Sequence, residues 1–420
     1  MVRKLTAATA ALALLASCAP ADKAPVKVRA LVLSSNGKYV PQQVELKTIA
    51  DMASLEGQVV KFVGGSQVRL DPNDRLLQQA TTEEAFERAL LKNPGRPVVV
   101  NYIKADDGVL WPADFHSWNL VTSYYNFERA WDYFRTVGNV PAAELPQTTV
   151  HYFGDFILAA SKDAPQEDNA LFFAPIRSFL VLPFKEIQQA PLAINASVIA
   201  HEYAHLVFNQ RVYGGKRLPD VINAWSDPIS ATAGLNLMKS LDEGLADYHA
   251  YVASCPPRTA YGCNTQLLKT SFEGKTVTDR DLTRDVCLSS GLRDQMLYSN
   301  FNQFSGQEYV VGNILASALY RASQSSEAER TELARSLLLA YSDSNPSNPG
   351  LAQVARQHLS DQSDFTLSAA ALAIIRHITN PDLQLAVCNQ FVDRLQIPRE
   401  ELIKTGACSN ATSPGRTNCI

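Results

Sequence analysis

The chain predicts an α+β fold, and three observations carry that expectation. β-branched runs dominate the first hundred residues. Two strand-like stretches between Thr148 and Phe184 lead into one histidine-bearing helix, and from Leu235 onward the pattern is mostly helical. At 420 residues and 46% hydrophobic, the chain can bury a large core, in more than one lobe. The net charge is -4 with the signs well mixed and no basic tail, so no nucleic-acid partner is expected.

The N-terminus reads MVRKLTAATAALALLASCAP, in which Arg3 and Lys4 precede an apolar run too short to span a bilayer. Its end, LASC, resembles the lipobox of bacterial lipoproteins. That resemblance implies a signal peptide over 1–17, lipidation at Cys18 and a Pro/Ala tether over 18–26. It places the protein at the cell envelope, anchored through lipid to a membrane, the outer one if the source is Gram-negative.

Residues 27–112 read as a small β-rich N-terminal region. VKVRALVLS, QVVKFVGG and RPVVVNYI are bounded by Gly, Pro and Asn, and TEEAFERALLKN supplies one amphipathic helix capped by Thr81 or Thr82. No chemistry is legible there. Residues 113–325 form the expected catalytic region. In NLVTSYYNFERAWDYFRTVGN, the residues Leu120, Tyr124, Phe127, Trp131 and Phe134 fall on one helical stripe, which reads as core packing, and Gly138 is a stop. TTVHYFGDFILAA and NALFFAPIRSFLVLPF read as strands, the second a hairpin turning near Pro175 to Ser178. Residues 326–420 form a helical C-terminal region. Setting Cys18 aside leaves six cysteines. Cys255 with Cys263 is the expected local disulfide, and Cys388 with Cys408 or Cys419 would pin the C-terminus.

The chemistry centres on VIAHEYAHLVFNQ. On a helix, His201 and His205 share a face and can reach one zinc ion, while Glu202 stands beside water on that metal. Asn195 is the expected N-cap and Gly214 the end of the run. With seven histidines in the chain, a chance HExxH is expected only about 0.006 times. Downstream, SLDEGLADYHAY sets Glu243 and Asp247 one turn apart. Carboxylates inside an apolar helix call for a partner. Glu243 completes a His, His, Glu set with a fourth position left for water, and Asp247 accepts the second ring proton of a ligating histidine. The remaining histidines, at 116, 151, 249, 358 and 377, read as surface or satisfied core residues.

HExxH followed by E-x-x-x-D resembles the gluzincin metallopeptidases, particularly those like thermolysin and fungalysin. SYYNFERAWDYF looks like the aromatic helix of those families, and HEYAHLVFNQRVYGG is close to the fungalysin helix and its Gly-Gly exit. NALFFAPIRSFLVLPF is similar to their edge strand, which makes Asn169 and Ala170 the expected holders of substrate backbone. The likeness covers roughly Asn119 to Ser323. It implies a zincin-like domain, a mixed sheet with an antiparallel edge strand plus the active-site helix. It also implies a Zn2+-dependent endopeptidase acting on peptides or proteins with Glu202 as general base. The chain departs from the pattern in a longer gap from His205 to Glu243, in KRLPDVINAWSDPISATAGLNLMK, and in lacking an evident transition-state histidine. Tyr309 stands where fungalysin-like sequences tend to carry that histidine, as a candidate oxyanion donor. No calcium-site cluster is recognisable. Two other readings are a zinc aminopeptidase of the same clan, for which no GxMEN-like amine anchor is found, and an inactive envelope-binding lipoprotein on a peptidase fold.

Overall fold

The computed structural model describes residues 24–159, 164–184, 190–216, 233–256, 262–272, 280–299, 301–342, 348–355, 366–403, 406, 408–413, 416 and 419–420. The expected signal peptide with Cys18, most of the expected insertion (217–232) and His358 lie outside the described residues.

The fold is α+β, a mixed sheet with an antiparallel edge strand followed by a mainly helical lobe. The elements that build the site, in chain order, are β1 (Val60–Gly64), β2 (Arg96–Pro97), α1 (Phe115–Thr136), β3 (Thr148–Tyr152), β4 (Ala170–Phe173), β5 (Ser178–Val181), α2 (Ala196–Val212), α3 (Ala233–Ser254) and α4 (Gln307–Ser323). The central sheet runs β4-β5-β3-β1-β2. Strand β3 is parallel to β1 and β5, whereas β4 is antiparallel to β5 and forms one edge. Ala174, Pro175 and Ile176 form a 3-10 turn, and Arg177, at φ 49°, then reverses the chain between β4 and β5, where the hairpin was expected. Strand β1 comes from the β-rich N-terminal region, so that region and residues 113–325 share a sheet and a core.

The stripe on α1 is buried as its periodicity requires. Phe127 lies 6.2 Å from Phe62 of β1 and 4.8 Å from Phe179 of β5, and Phe134 stacks at 5.7 Å on Tyr203 of α2. The aromatic helix thereby clamps α2 against the sheet. Asn126 and Ser123 also donate to the carbonyls of Ile194 and Ala193, just before α2 begins.

Helices α3 and α4 cross at two glycines. A Cβ on Gly244 would lie 2.4 Å from the carbonyl oxygen of Gly312, and one on Gly312 would lie 2.9 Å from the Cβ of Glu243. Only glycine permits that approach, and the crossing falls beside a candidate metal ligand.

Three disulfides are formed, Cys255–Cys263, Cys287–Cys419 and Cys388–Cys408. Cys408 is therefore the partner of Cys388, and Cys419 ties the C-terminus to Cys287. Among the described residues no helix is long and apolar enough to cross a membrane.

Candidate metal centre

Helix α2 is fixed at its start by Asn195. Its Oδ1 accepts the N–H groups of Ser197 and Val198, and its Nδ2 donates to Leu267 O, Thr270 Oγ1 and Ser271 Oγ at 2.9–3.2 Å. The cap thus locks the helix to the loop beyond α3 as well as satisfying its first turn. At the other end Gly214 and Gly215 take positive φ, and the Gly215 N–H returns to Asn209 O.

Between these ends His201 and His205 face α3. Their Nε2 atoms are 2.9 Å apart, and Oε2 of Glu243 lies 3.3 Å from the first and 3.8 Å from the second. Ligands held about 2.0–2.1 Å from a tetrahedral zinc stand about 3.3 Å from one another, and the three edges bracket that value. An aspartate stands beside the Nδ1 of each ring, hydrogen-bonded in the case of His205. Asp247 Oδ1 lies 2.9 Å from Nδ1 of His201, and Asp242 Oδ1 lies 2.8 Å from Nδ1 of His205. Protons on both Nδ1 atoms would leave both Nε2 lone pairs pointing at the same place, an arrangement that suits a cation. The donor set therefore fits a divalent metal.

Burial opposes charge on His205, but Asp242 and Glu243 outweigh it and push the ring up to about 10, so a metal bound there would have to displace the Nε2 proton. Burial likewise opposes charge on Glu243, and Arg280 followed by the two histidines holds its carboxyl well below the usual range. Burial pushes the Glu202 carboxyl up, against the pull of His201 and His205. Glu202 does not join the three ligands. Its Oε2 accepts the backbone N–H of Phe172 at 2.7 Å, which ties the candidate base to the edge strand β4.

These groups line a cavity of about 460 Å³. Asn169 and Ala170 are on its wall, with the Ala170 N–H donated to Asn169 Oδ1 and the Asn169 carbonyl accepting from Leu182. Leu192, Val198, Leu268 and Phe272 pack into an apolar recess beside Ala170. Tyr309 is on the wall too, 38% exposed, its ring covered by the Arg280 guanidinium at 4.6 Å. Glu243 and burial raise its phenol, which keeps the proton a donor needs.

The sequence reading missed three participants. Asp242 is adjacent to Glu243 in the same LDEGLAD run, and its spacing from His205 gave no cue until α2 and α3 were packed. Arg280 donates to Asp247 Oδ1 at 2.6 Å and to Glu243 Oε2 at 3.1 Å from a turn far downstream, with no local signal. Phe172 acts through its backbone alone. Of the other histidines, His151 and His249 are buried in the core and His116 Nδ1 meets Tyr152 OH at 3.0 Å, all apart from the metal ligands.

No family model matches the chain, and no curated protein matches it. Among solved structures, the precursor of protealysin, a metalloproteinase from Serratia proteamaculans, is similar over 79% of this chain and 97% of that one, at 13% identity and a TM-score of 0.35. So low a score leaves the assignment to the chain's own residues, and among those described His201, His205 and Glu243 are the group placed to hold a metal ion.

Proposed function

We propose that the chain is a zinc-dependent endopeptidase, with His201, His205 and Glu243 as metal ligands and Glu202 as general base. The observation that carries this reading is the convergence of two Nε2 atoms and one carboxylate oxygen, each imidazole backed by its own aspartate, beside a fourth acidic group docked on an open strand edge. Zinc, when bound there, supplies Lewis acidity to water and to a carbonyl. The rest of the work falls to the protein. Asp247 and Asp242 keep the imidazoles in the ligating tautomer. Strand β4 offers backbone groups to an extended peptide by strand addition, with Asn169 and Ala170 at its head. The apolar recess receives a large apolar side chain. Glu202, with its raised carboxyl, takes a proton from attacking water and returns it to the leaving amine. Glu202→Gln is expected to retain one zinc per chain and to lose peptide cleavage by about 10²–10⁴-fold. Undiminished cleavage by that variant removes Glu202 from this role. A lipid anchor at Cys18 belongs to the same proposal, and Cys18→Ser is expected to move the protein from the membrane to the soluble fraction; continued membrane retention refutes it.

A further inference from the structure

Arg280 and Lys239 both line the cavity. Arg280 is committed to Asp247 and Glu243 and lies on the face of Tyr309. Lys239 is differently placed. It sits on α3 four residues before Glu243, hence on the same face and about 5–6 Å from it at Cβ. Its Nζ donates to Oε1 of Glu308 at 2.9 Å, and the other oxygen of Glu308 accepts the backbone N–H of Gly306 at the start of α4. The pair is lopsided in exposure, 31% for the Lys239 side chain against 3% for Glu308. Glu308 is the buried end of the pair, and Lys239 is the partner that lines the cleft. The Gly244–Gly312 crossing already brings those two helices together.

We infer that Lys239, held by Glu308, is the donor that stabilises the oxyanion of the hydrolysis. The inference rests on the peptidase reading. As water oxygen bonds to the peptide carbonyl carbon, its proton passes to Glu202 and the C=O π pair moves onto oxygen. A Lys239 N–H donates to that oxygen and keeps its proton. The pair then re-forms C=O, the C–N bond breaks, and the amine nitrogen takes the proton from Glu202. Fixed donors aimed at developing charge are worth about 10²–10³ in kcat.

The test compares wild type, Lys239→Met, Lys239→Arg and Tyr309→Phe, all zinc-loaded. It measures kcat and KM on a peptide with an apolar residue after the scissile bond, zinc content, and Ki for a phosphonamidate peptide, a stable tetrahedral anion. Lys239→Met is expected to lower kcat about 10²–10³-fold with KM and zinc content unchanged. Its phosphonamidate Ki should rise by a similar factor, the loss should exceed that of Tyr309→Phe, and Lys239→Arg should recover part of it. If Lys239→Met does not fold, Lys239→Gln, which keeps a donor to Glu308, is expected to lose at least tenfold. A cleaving wild type whose Lys239 variants keep kcat within threefold overturns the inference alone. So does a fall in kcat with no change in the phosphonamidate Ki, which is the mark of a purely structural role. A wild type that binds zinc but cleaves no peptide overturns the peptidase reading and this inference with it.

Discussion

Gly312→Ala tests whether the helix crossing sets the metal site. The added Cβ would stand 2.9 Å from Glu243 Cβ, 2.9 Å from Gly244 N and 3.0 Å from Ser240 O. All three are backbone or Cβ atoms, so no flexible side-chain end can swing aside. Nonbonded heavy atoms settle at about 3.5–4.0 Å, which requires α3 and α4 to separate by about 0.5–1 Å. Metal–ligand distances tolerate only about 0.2 Å. Glu243 rides on α3 at the point of contact, so its carboxylate leaves the two Nε2 atoms by more than the site can absorb. Overpacking of this kind costs about 1–3 kcal/mol, against about 1 kcal/mol gained because alanine favours helix over glycine. The net loss of global stability is about 0–2 kcal/mol, and a loss of metal binding should accompany it. Each 1.4 kcal/mol is a factor of ten, so a zinc dissociation constant raised about tenfold is expected, read by competition with a chromophoric chelator. Gly291→Ala is the control, because a Cβ there meets only Ser289 Oγ at 3.9 Å. Zinc affinity within twofold of wild type in Gly312→Ala would refute the reasoning.

Three further outcomes are expected. Asp242→Ala removes the acceptor 2.8 Å from His205 Nδ1 and should weaken zinc about 10–100-fold, while Asp242→Asn, which keeps an acceptor oxygen, should lose less; equal losses in the chelator titration would deny the orienting role. Burial lowers the His151 ring to about 4, below its unfolded value near 6.5, so between those pH values the unfolded chain binds the extra proton. The associated stability, about 3 kcal/mol in full, is present above pH 6.5 and is lost as pH falls towards 4. Urea unfolding of wild type and His151→Leu across that window should show a flatter profile for the variant, and parallel profiles would count against it. Replacing Cys287 and Cys419 by Ser opens a link across 132 residues, worth about 5 kcal/mol by chain entropy, whereas the Cys255–Cys263 link spans 8 and is worth about 2.5 kcal/mol. The first pair should lower the thermal midpoint more, and scanning calorimetry giving the reverse order would contradict this.

What was legible in the sequence follows the range of the forces involved. His201, His205 and Asn195 are arranged by one helix, so their spacing along the chain already encodes their geometry. Glu243 and Asp247 were legible for the same reason, as a buried acidic pair within one helix. Arg280 reaches that pair from a turn, and Lys239 finds Glu308 on a different helix, so no periodicity announces either contact. The Glu202 link to Phe172 is invisible in residue types because it uses a main-chain N–H, available on any strand except at proline. Likewise the run QVVKFVGG identifies a strand but not its neighbours, and its place beside β3 comes from tertiary packing alone.

That place constrains how the molecule can mature. Strand β1 is paired residue by residue with β3, from Val60 opposite Thr148 to Gly64 opposite Tyr152, and β2 closes over its other side. A protease nick near residue 112 would therefore yield two fragments laced together as a complementation pair, not two parts that separate. Stripping the front fragment away would bare the main chain of β3 and expose the apolar surface that Val60 and Phe62 cover, turning the half that carries His201, His205 and Glu243 into a template for strand-to-strand aggregation.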